Sequence, residues 1–286
     1  MLLSTNTNGL LNHFSEEKSI ELIKNAGFDA YDFTFFGSKM QNSRVFDDDY
    51  LEYAEGLRKF ADSISITCNQ AHAPFASQIY GDCEYNEKMF PRLVRSIECA
   101  AILGAKTIVI HPIHHLSKEL DEYSINKEFY EKLLPYAEKA GVIICTENMW
   151  QRDERRGYII ESVCSTGERF KKLIDTINSP YLKGCLDFGH GELVGEPAAE
   201  TAEILGDRMI AVHVHDNDCL SDQHTLPYLG RIDWERLYSS LRKIHYSGDF
   251  TFEVSTLFSN MPAELVPDAL KFLCSMGRYM ISRLEQ

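Results

Sequence analysis

The feature that most constrains this chain is a recurrence. A short apolar run followed by a longer amphipathic one returns about every 35 residues, the βα alternation of a parallel sheet. The apolar runs are Leu2–Thr7, Ala30–Phe35, Ser63–Gln70, Lys106–His111, Val142–Glu147, Leu182–Asp187, Met209–His215 and Phe250–Val254. Between them lies helix punctuation. Ser15 reads as an N-cap ahead of the acids Glu16 and Glu17, and Asn25-Ala26-Gly27 as a C-terminal stop. Thr166-Gly167-Glu168 and Ile232-Asp233-Trp234 read as further helix starts. Leu103-Gly104-Ala105 and Ala140-Gly141 read as helix ends just ahead of strands.

No Pro-rich, Gly/Ser-rich or low-complexity run divides the chain. Eight βα units without a break predict an α/β fold of the (β/α)8 TIM-barrel type, a single domain over residues 1–286. The alternative is an open doubly wound sheet. No Gly-x-Gly-x-x-Gly or Walker loop follows the first strand, which counts against it.

Composition narrows the function. The formal net charge of −14 disfavours nucleic acid, whose binding depends on Lys and Arg neutralising phosphates. No apolar stretch approaches the roughly 20 residues that cross a bilayer, and the start reads Ser-Thr-Asn-Thr-Asn where a signal peptide is apolar. A cytoplasmic protein without membrane contact is expected. The eight cysteines form no Cys-x-x-Cys pair, and several lie in apolar runs, so free buried thiols are expected.

In a barrel of this kind the strand C-termini form the active face. Read in order, they carry His72, His111, Glu147, Asp187 with His190, His213, Asp222 with His224, and Glu253. These are imidazoles and carboxylates, the usual ligands of divalent metals. Each has a plainer reading: His72 as a strand cap, the acids as salt-bridge partners, His114 and His115 as solvated loop histidines. Glu147, Asp187 and Glu253 nevertheless each end an apolar run with few Lys or Arg nearby. A carboxylate there is costly unless paired or bound to a cation. His213 and His215 alternate onto the same side of their strand and rank equally on spacing.

The chain resembles the xylose-isomerase-like barrel superfamily, which includes sugar-phosphate isomerases and epimerases and the endonuclease IV enzymes. The resemblance is carried by Cys185–His190 (Cys-Leu-Asp-Phe-Gly-His), His213–Asn217 (His-Val-His-Asp-Asn), Asp222–Trp234 and the Glu147-Asn148 pair. It implies one metal held by Glu147, Asp187, His213 and Glu253. His213 is favoured over His215 because the family's ligand histidine lies three residues before an acid, here Asp216. The enlarged endonuclease IV site implies further ligands at His72, His111, His190, Asp222 and His224. Two positions depart from the relatives. Cys219 stands where ketose 3-epimerases carry Arg, and Asp187-Phe188-Gly189-His190-Gly191 differs from the endonuclease IV pattern after the sixth strand.

The expected activity is metal-dependent isomerisation or epimerisation of a small sugar, polyol or sugar phosphate through an enediolate. Glu147 and Glu253 form the proton-transfer pair across the mouth, and His190 addresses a substrate oxygen. Zn or Mn is favoured, with Mg and Co compatible. Trp150, Phe35, Phe75 and Phe188 are candidates to pack a sugar's apolar face, with core packing the alternative for each. A zinc-dependent phosphoesterase of the endonuclease IV type is the second reading. A non-catalytic binding barrel and lyase or dehydratase chemistry rank lower, and formation of a homo-oligomer is left open.

Overall fold

A computed structural model of the chain describes residues 1–36, 44–113 and 120–286; His114 and His115 lie outside them. The strands are β1 (Leu3–Asn6), β2 (Ala30–Thr34), β3 (Thr67–His72), β4 (Thr107–Val109), β5 (Ile143–Glu147), β6 (Trp150–Asp153), β7 (Tyr158–Glu161), β8 (Leu182–Asp187), β9 (Met209–Val214) and β10 (Phe250–Phe252). The helices are α1 (Glu16–Ala26), α2 (Tyr50–Ser63), α3 (Cys83–Leu103), α4 (Glu122–Ala140), α5 (Gly167–Ile177), α6 (His190–Leu193), α7 (Ala198–Leu205), α8 (Trp234–Lys243), α9 (Ser255–Ser259) and α10 (Val266–Leu284).

Eight parallel strands close into a barrel in the order β1-β10-β9-β8-β5-β4-β3-β2, while β6 and β7 form a separate antiparallel hairpin. Closure rules out the open doubly wound sheet. Each apolar run is buried on both faces, between the barrel interior and the helices outside, which is why these strands lack polar alternation. The helical shell presses close: a Cβ at Gly277 of α10 would lie 2.5 Å from Leu3 and 2.7 Å from Phe252, so glycine is what lets α10 pack on β1 and β10.

The helix punctuation holds. Ser15 accepts a hydrogen bond from the Lys18 amide at 3.2 Å, and Asp233 caps α8 through the Arg236 amide at 3.1 Å. Gly27, Gly104 and Gly141 are left-handed C-caps. Thr166 precedes α5 without a side-chain cap; Glu196 takes the Gly167 amide instead. All eight cysteines are free, six of them buried; Cys83 is exposed and Cys219 half-buried.

Two expectations need correction. The third strand runs Thr67–His72, not Ser63–Gln70. Ile64 caps α2 with its amide on Phe60 and Ala61, and Ser65 turns the chain at φ 56°. Ile64 and Ile66, alternating with serines just past the helix end, read like the start of a strand. The β6–β7 hairpin was not foreseen, because its four-residue strands carry charge and flank an Asp153-Glu154-Arg155-Arg156-Gly157 turn.

Among the described residues, no helix is long and apolar enough to cross a membrane.

Candidate metal centre

The strand C-termini deliver their polar residues to one end of the barrel. Glu147 ends β5, Asp187 ends β8, His213 lies next to last in β9, and Glu253 follows β10. Register places His213 beside Asp187 on one side and Thr251 on the other. One ligand atom from each of Glu147, Asp187, His213 and Glu253 lies within 4.8 Å of every other. His213 Nδ1 sits 2.9 Å from Glu147 Oε1 and 3.0 Å from Glu253 Oε2. Two carboxylates whose strands are separated by β8 and β9 thus converge on one ring nitrogen.

Two further groups flank this one. His72 and His111 join Glu147, whose Oε2 is 2.8 Å from His111 Nε2 and 3.6 Å from His72 Nε2. On the other side His190, His215, Asp222 and His224 form a group, with Asp222 at 3.4 Å from His190 Nε2 and 3.2 Å from His224 Nε2. All nine residues expected from the sequence as ligands therefore meet at one end of the barrel. His215 faces the same interior, its Nε2 2.8 Å from both Asp187 oxygens.

Electrostatics follow from burial and partners. Burial pushes the Glu147 carboxyl up, but His213 and His111 outweigh it and hold it well below the carboxylate range. Glu253 is likewise pushed up by burial and pulled further down, chiefly by His213. Burial lowers His111, outweighing the upward pull of Glu147 beside it. His190 and His213 are lowered by burial and raised more strongly by surrounding acids and, for His213, by Cys185. Among the described residues, no Lys or Arg pairs with Glu147, Asp187 or Glu253; histidines are their only ion-pair partners.

The donor set fits a divalent cation. His111 Nε2, Glu147 Oε2, His190 Nε2 and Asp222 Oδ1 are buried atoms without a hydrogen-bond partner, all aimed into this end of the barrel. Leaving such atoms unmatched is costly, and a cation held by His111 with Glu147, or one held by His190 with Asp222, would satisfy a pair of them.

Sequence reasoning missed some of the supporting groups. Asn148 locks β5 to β8: its Oδ1 accepts the Asp187 amide at 2.7 Å and its Nδ2 donates to the Asp187 carbonyl at 2.8 Å. That explains why Asn follows Glu147. Gln70 Nε2 donates to His213 Nε2 at 2.9 Å and to Asp32 at 3.2 Å, and Asn6 donates to Glu253 at 3.3 Å. Burial pushes the Asp32 carboxyl up to about 6. Asp32 lies between Tyr31 and Phe33, so the buried-acid argument used for Glu147 would have found it. Of the aromatic candidates, Phe35 and Phe188 are core residues, buried to 2% and 0% exposure. Phe75 is 44% exposed, with its ring 4.9 Å from that of His111, and Trp150 is half-buried at the start of β6.

A barrel of this topology with a His/Glu/Asp centre at its strand ends defines a class. Residues 20–276 match the family described as xylose isomerase-like TIM barrel, and the chain belongs to that family.

The uncharacterized protein MJ1311 of Methanocaldococcus jannaschii is 28% identical over 195 residues, 64% of this chain and 62% of that protein. Fructoselysine 3-epimerase of Escherichia coli is 26% identical over 144 residues, half of each chain. The matches thus span less than two thirds of these relatives' lengths. Among solved structures, a D-psicose 3-epimerase determined in the presence of D-fructose superposes with a TM-score of 0.76 at 16% identity, over 98% of this chain and 99% of the other. The IolI protein with a bound zinc atom superposes with a TM-score of 0.76 at 18% identity, over 97% and 98%.

Proposed function

We propose that the chain is a metal-dependent isomerase or epimerase of a small sugar, polyol or sugar phosphate. The observation that carries this reading is the convergence of Glu147 and Glu253 on His213 Nδ1, with Asp187 beside them and no Lys or Arg pairing with the three acids among the described residues. Glu147, Asp187, His213 and Glu253 would hold the cation. A bound cation would supply Lewis acidity to the substrate carbonyl, which acidifies the proton on the adjacent hydroxyl-bearing carbon. The names of the relatives, fructoselysine 3-epimerase and D-psicose 3-epimerase, support sugar chemistry on this scaffold.

The protein's own groups supply the proton transfers. Glu147 and Glu253 are both lowered by the histidines around them, and either would serve in its carboxylate form to accept the α-proton as a general base. Epimerisation would move the proton to the carboxylate on one face, while the other carboxyl, entering the step protonated, gives its proton to the opposite face and is left ionised. Isomerisation moves the proton between adjacent carbons. His190, raised well above its ordinary value, donates its Nδ1 proton to the Asn148 carbonyl at 2.8 Å and keeps Nε2 for a substrate oxygen. Phe75, exposed beside His111, offers an apolar face to the ring or chain carbons of the sugar.

The test is deuterium wash-in. The protein is incubated in D2O with Mn2+ or Zn2+ and a panel of ketoses, and NMR follows exchange at the carbon next to the carbonyl. Exchange that disappears in Glu147→Gln is expected. Exchange that persists in Glu147→Gln removes this residue from the mechanism, and none in the wild type with any ketose counts against the reading.

A second reading, a zinc-dependent phosphoesterase, is favoured by one observation: the flanking groups His72/His111/Glu147 and His190/His215/Asp222/His224 enlarge the centre beyond four ligands. The net charge of −14 opposes a DNA substrate. Cleavage of abasic-site DNA dependent on His111, with two or more zinc ions per chain, would favour this reading over the first.

A further inference from the structure

The segment from Asn217 to Trp234 carries two candidate ligands, Asp222 and His224, and its conformation is organised around one buried side chain. Asp216 is 0% exposed, and its carboxylate accepts four hydrogen bonds. Oδ1 takes the backbone amides of Asn217 at 2.9 Å and Ile232 at 3.2 Å. Oδ2 takes the Tyr228 amide at 3.0 Å and the Trp234 indole at 2.9 Å. The donors come from the start, the middle and the end of the segment. The Asp216 backbone also bridges Thr225, the neighbour of His224, through bonds of 2.9 and 3.0 Å.

The fit around this carboxylate is close. A Cβ at Gly230 would lie 2.1 Å from Asp216 Oδ1 and 2.3 Å from the Asn217 carbonyl, so only glycine lets the chain pass there. Asn217 in turn donates to the Gly189 carbonyl at 2.9 Å, one residue before His190. The same loop is thereby tied to a third member of the group. This arrangement gives a physical reason why His213–Asn217 and Asp222–Trp234 occur together: one motif supplies the acceptor and the other supplies three of its four donors.

We propose that Asp216 is the positioning residue of the His190/His215/Asp222/His224 group, setting Asp222 and His224 opposite His190 before any cation arrives. The metal readout below rests on the proposed function; the loop readout does not. A carboxylate suits the role because it accepts at both oxygens, whereas an amide would turn an NH2 toward two N–H donors. Asp216→Asn therefore keeps the shape and loses about half of the bonds.

The test combines hydrogen exchange of the metal-free chain with equilibrium dialysis against Zn2+, for the wild type, Asp216→Asn and Trp234→Phe. In Asp216→Asn either the Ile232 or the Tyr228 amide, whichever then faces the NH2, should exchange at least roughly tenfold faster, the effect of losing one to two net hydrogen bonds. Zinc at the His190/His215/Asp222/His224 group should weaken about 10–100-fold while the Glu147/Asp187/His213/Glu253 group keeps its ion. Trp234→Phe, which removes one donor, should fall between. Unchanged exchange and unchanged zinc affinity in Asp216→Asn overturn the proposal. Should Asp216→Asn fail to fold, Trp234→Phe decides: faster exchange confined to residues 217–234 supports the role, and wild-type exchange overturns it. Faster exchange in Asp216→Asn, together with the same zinc stoichiometry in wild type and Asp222→Ala, sinks the metal reading of the loop and leaves the role of Asp216 standing.

Discussion

The two candidate ligand groups at the mouth are built differently. Glu147, Asp187, His213 and Glu253 project from strands or the first residue past one, and their exposures are 0%, 0%, 0% and 6%. Asp222 and His224 come from a loop and keep 22% and 16% of their side chains accessible. The inner group is placed by the ladder of the barrel itself, so moving one member means distorting a strand. The outer group is placed by side-chain hydrogen bonds, with His224 Nδ1 on the Glu253 carbonyl at 2.8 Å and the loop gathered on Asp216. Barrels vary chemistry through such loops while strands hold the common centre. On the proposed function, the inner group would be the seat of the reaction and the outer group would tune it.

That difference should appear as a ranking of mutational effects. The largest belongs to Glu147, which touches both His213 and His111. Glu147→Gln keeps the volume and removes the base and a ligand oxygen. Turnover should fall by about 10³-fold or more, with bound metal lost from the inner group and circular dichroism unchanged. Next comes the outer group. Asp222→Asn combined with His224→Ala should weaken zinc there about 10–100-fold and lower turnover by a smaller factor. Elemental analysis and steady-state kinetics check both. A double variant as inactive as Glu147→Gln would break the comparison and make the two groups one centre.

The inner group was legible from sequence for the same physical reason that it is rigid. An acid at or next to the end of an apolar run, as in Val142–Glu147 or Phe250–Val254, is conspicuous because burying it is costly. The barrel was legible through its repeating βα period, which survives errors such as the displaced start of β3. The supporting shell was harder to read. Gln70 and Asn6 are ordinary polar residues until the closed barrel brings them to His213 and Glu253 from strands remote in sequence. Asp216 was noticed only as a spacing marker, since its four donors lie up to 18 residues away in a loop without periodicity. The β6–β7 hairpin left no pattern of alternation to detect.

The smallest effect separates the groups by pH. Burial pulls the His224 pKa down from its ordinary 6.5, but the Asp222 carboxylate 3.2 Å away, with Glu253 and Asp187 behind it, outweighs this and raises it to about 9. A group raised in the folded state contributes stability that is fully present below its unfolded pKa and is lost as pH rises through the folded value. The metal-free wild type should therefore lose thermal stability relative to His224→Ala between about pH 6.5 and above pH 9. His190 is common to both proteins, so the difference between their melting curves isolates His224. In the same window zinc competes with a departing proton, so its affinity for the outer group should climb with pH and level off past about 9. Parallel melting curves for the two proteins would mean that the Asp222–His224 pair carries no such charge, and that the loop is held together by its backbone bonds alone.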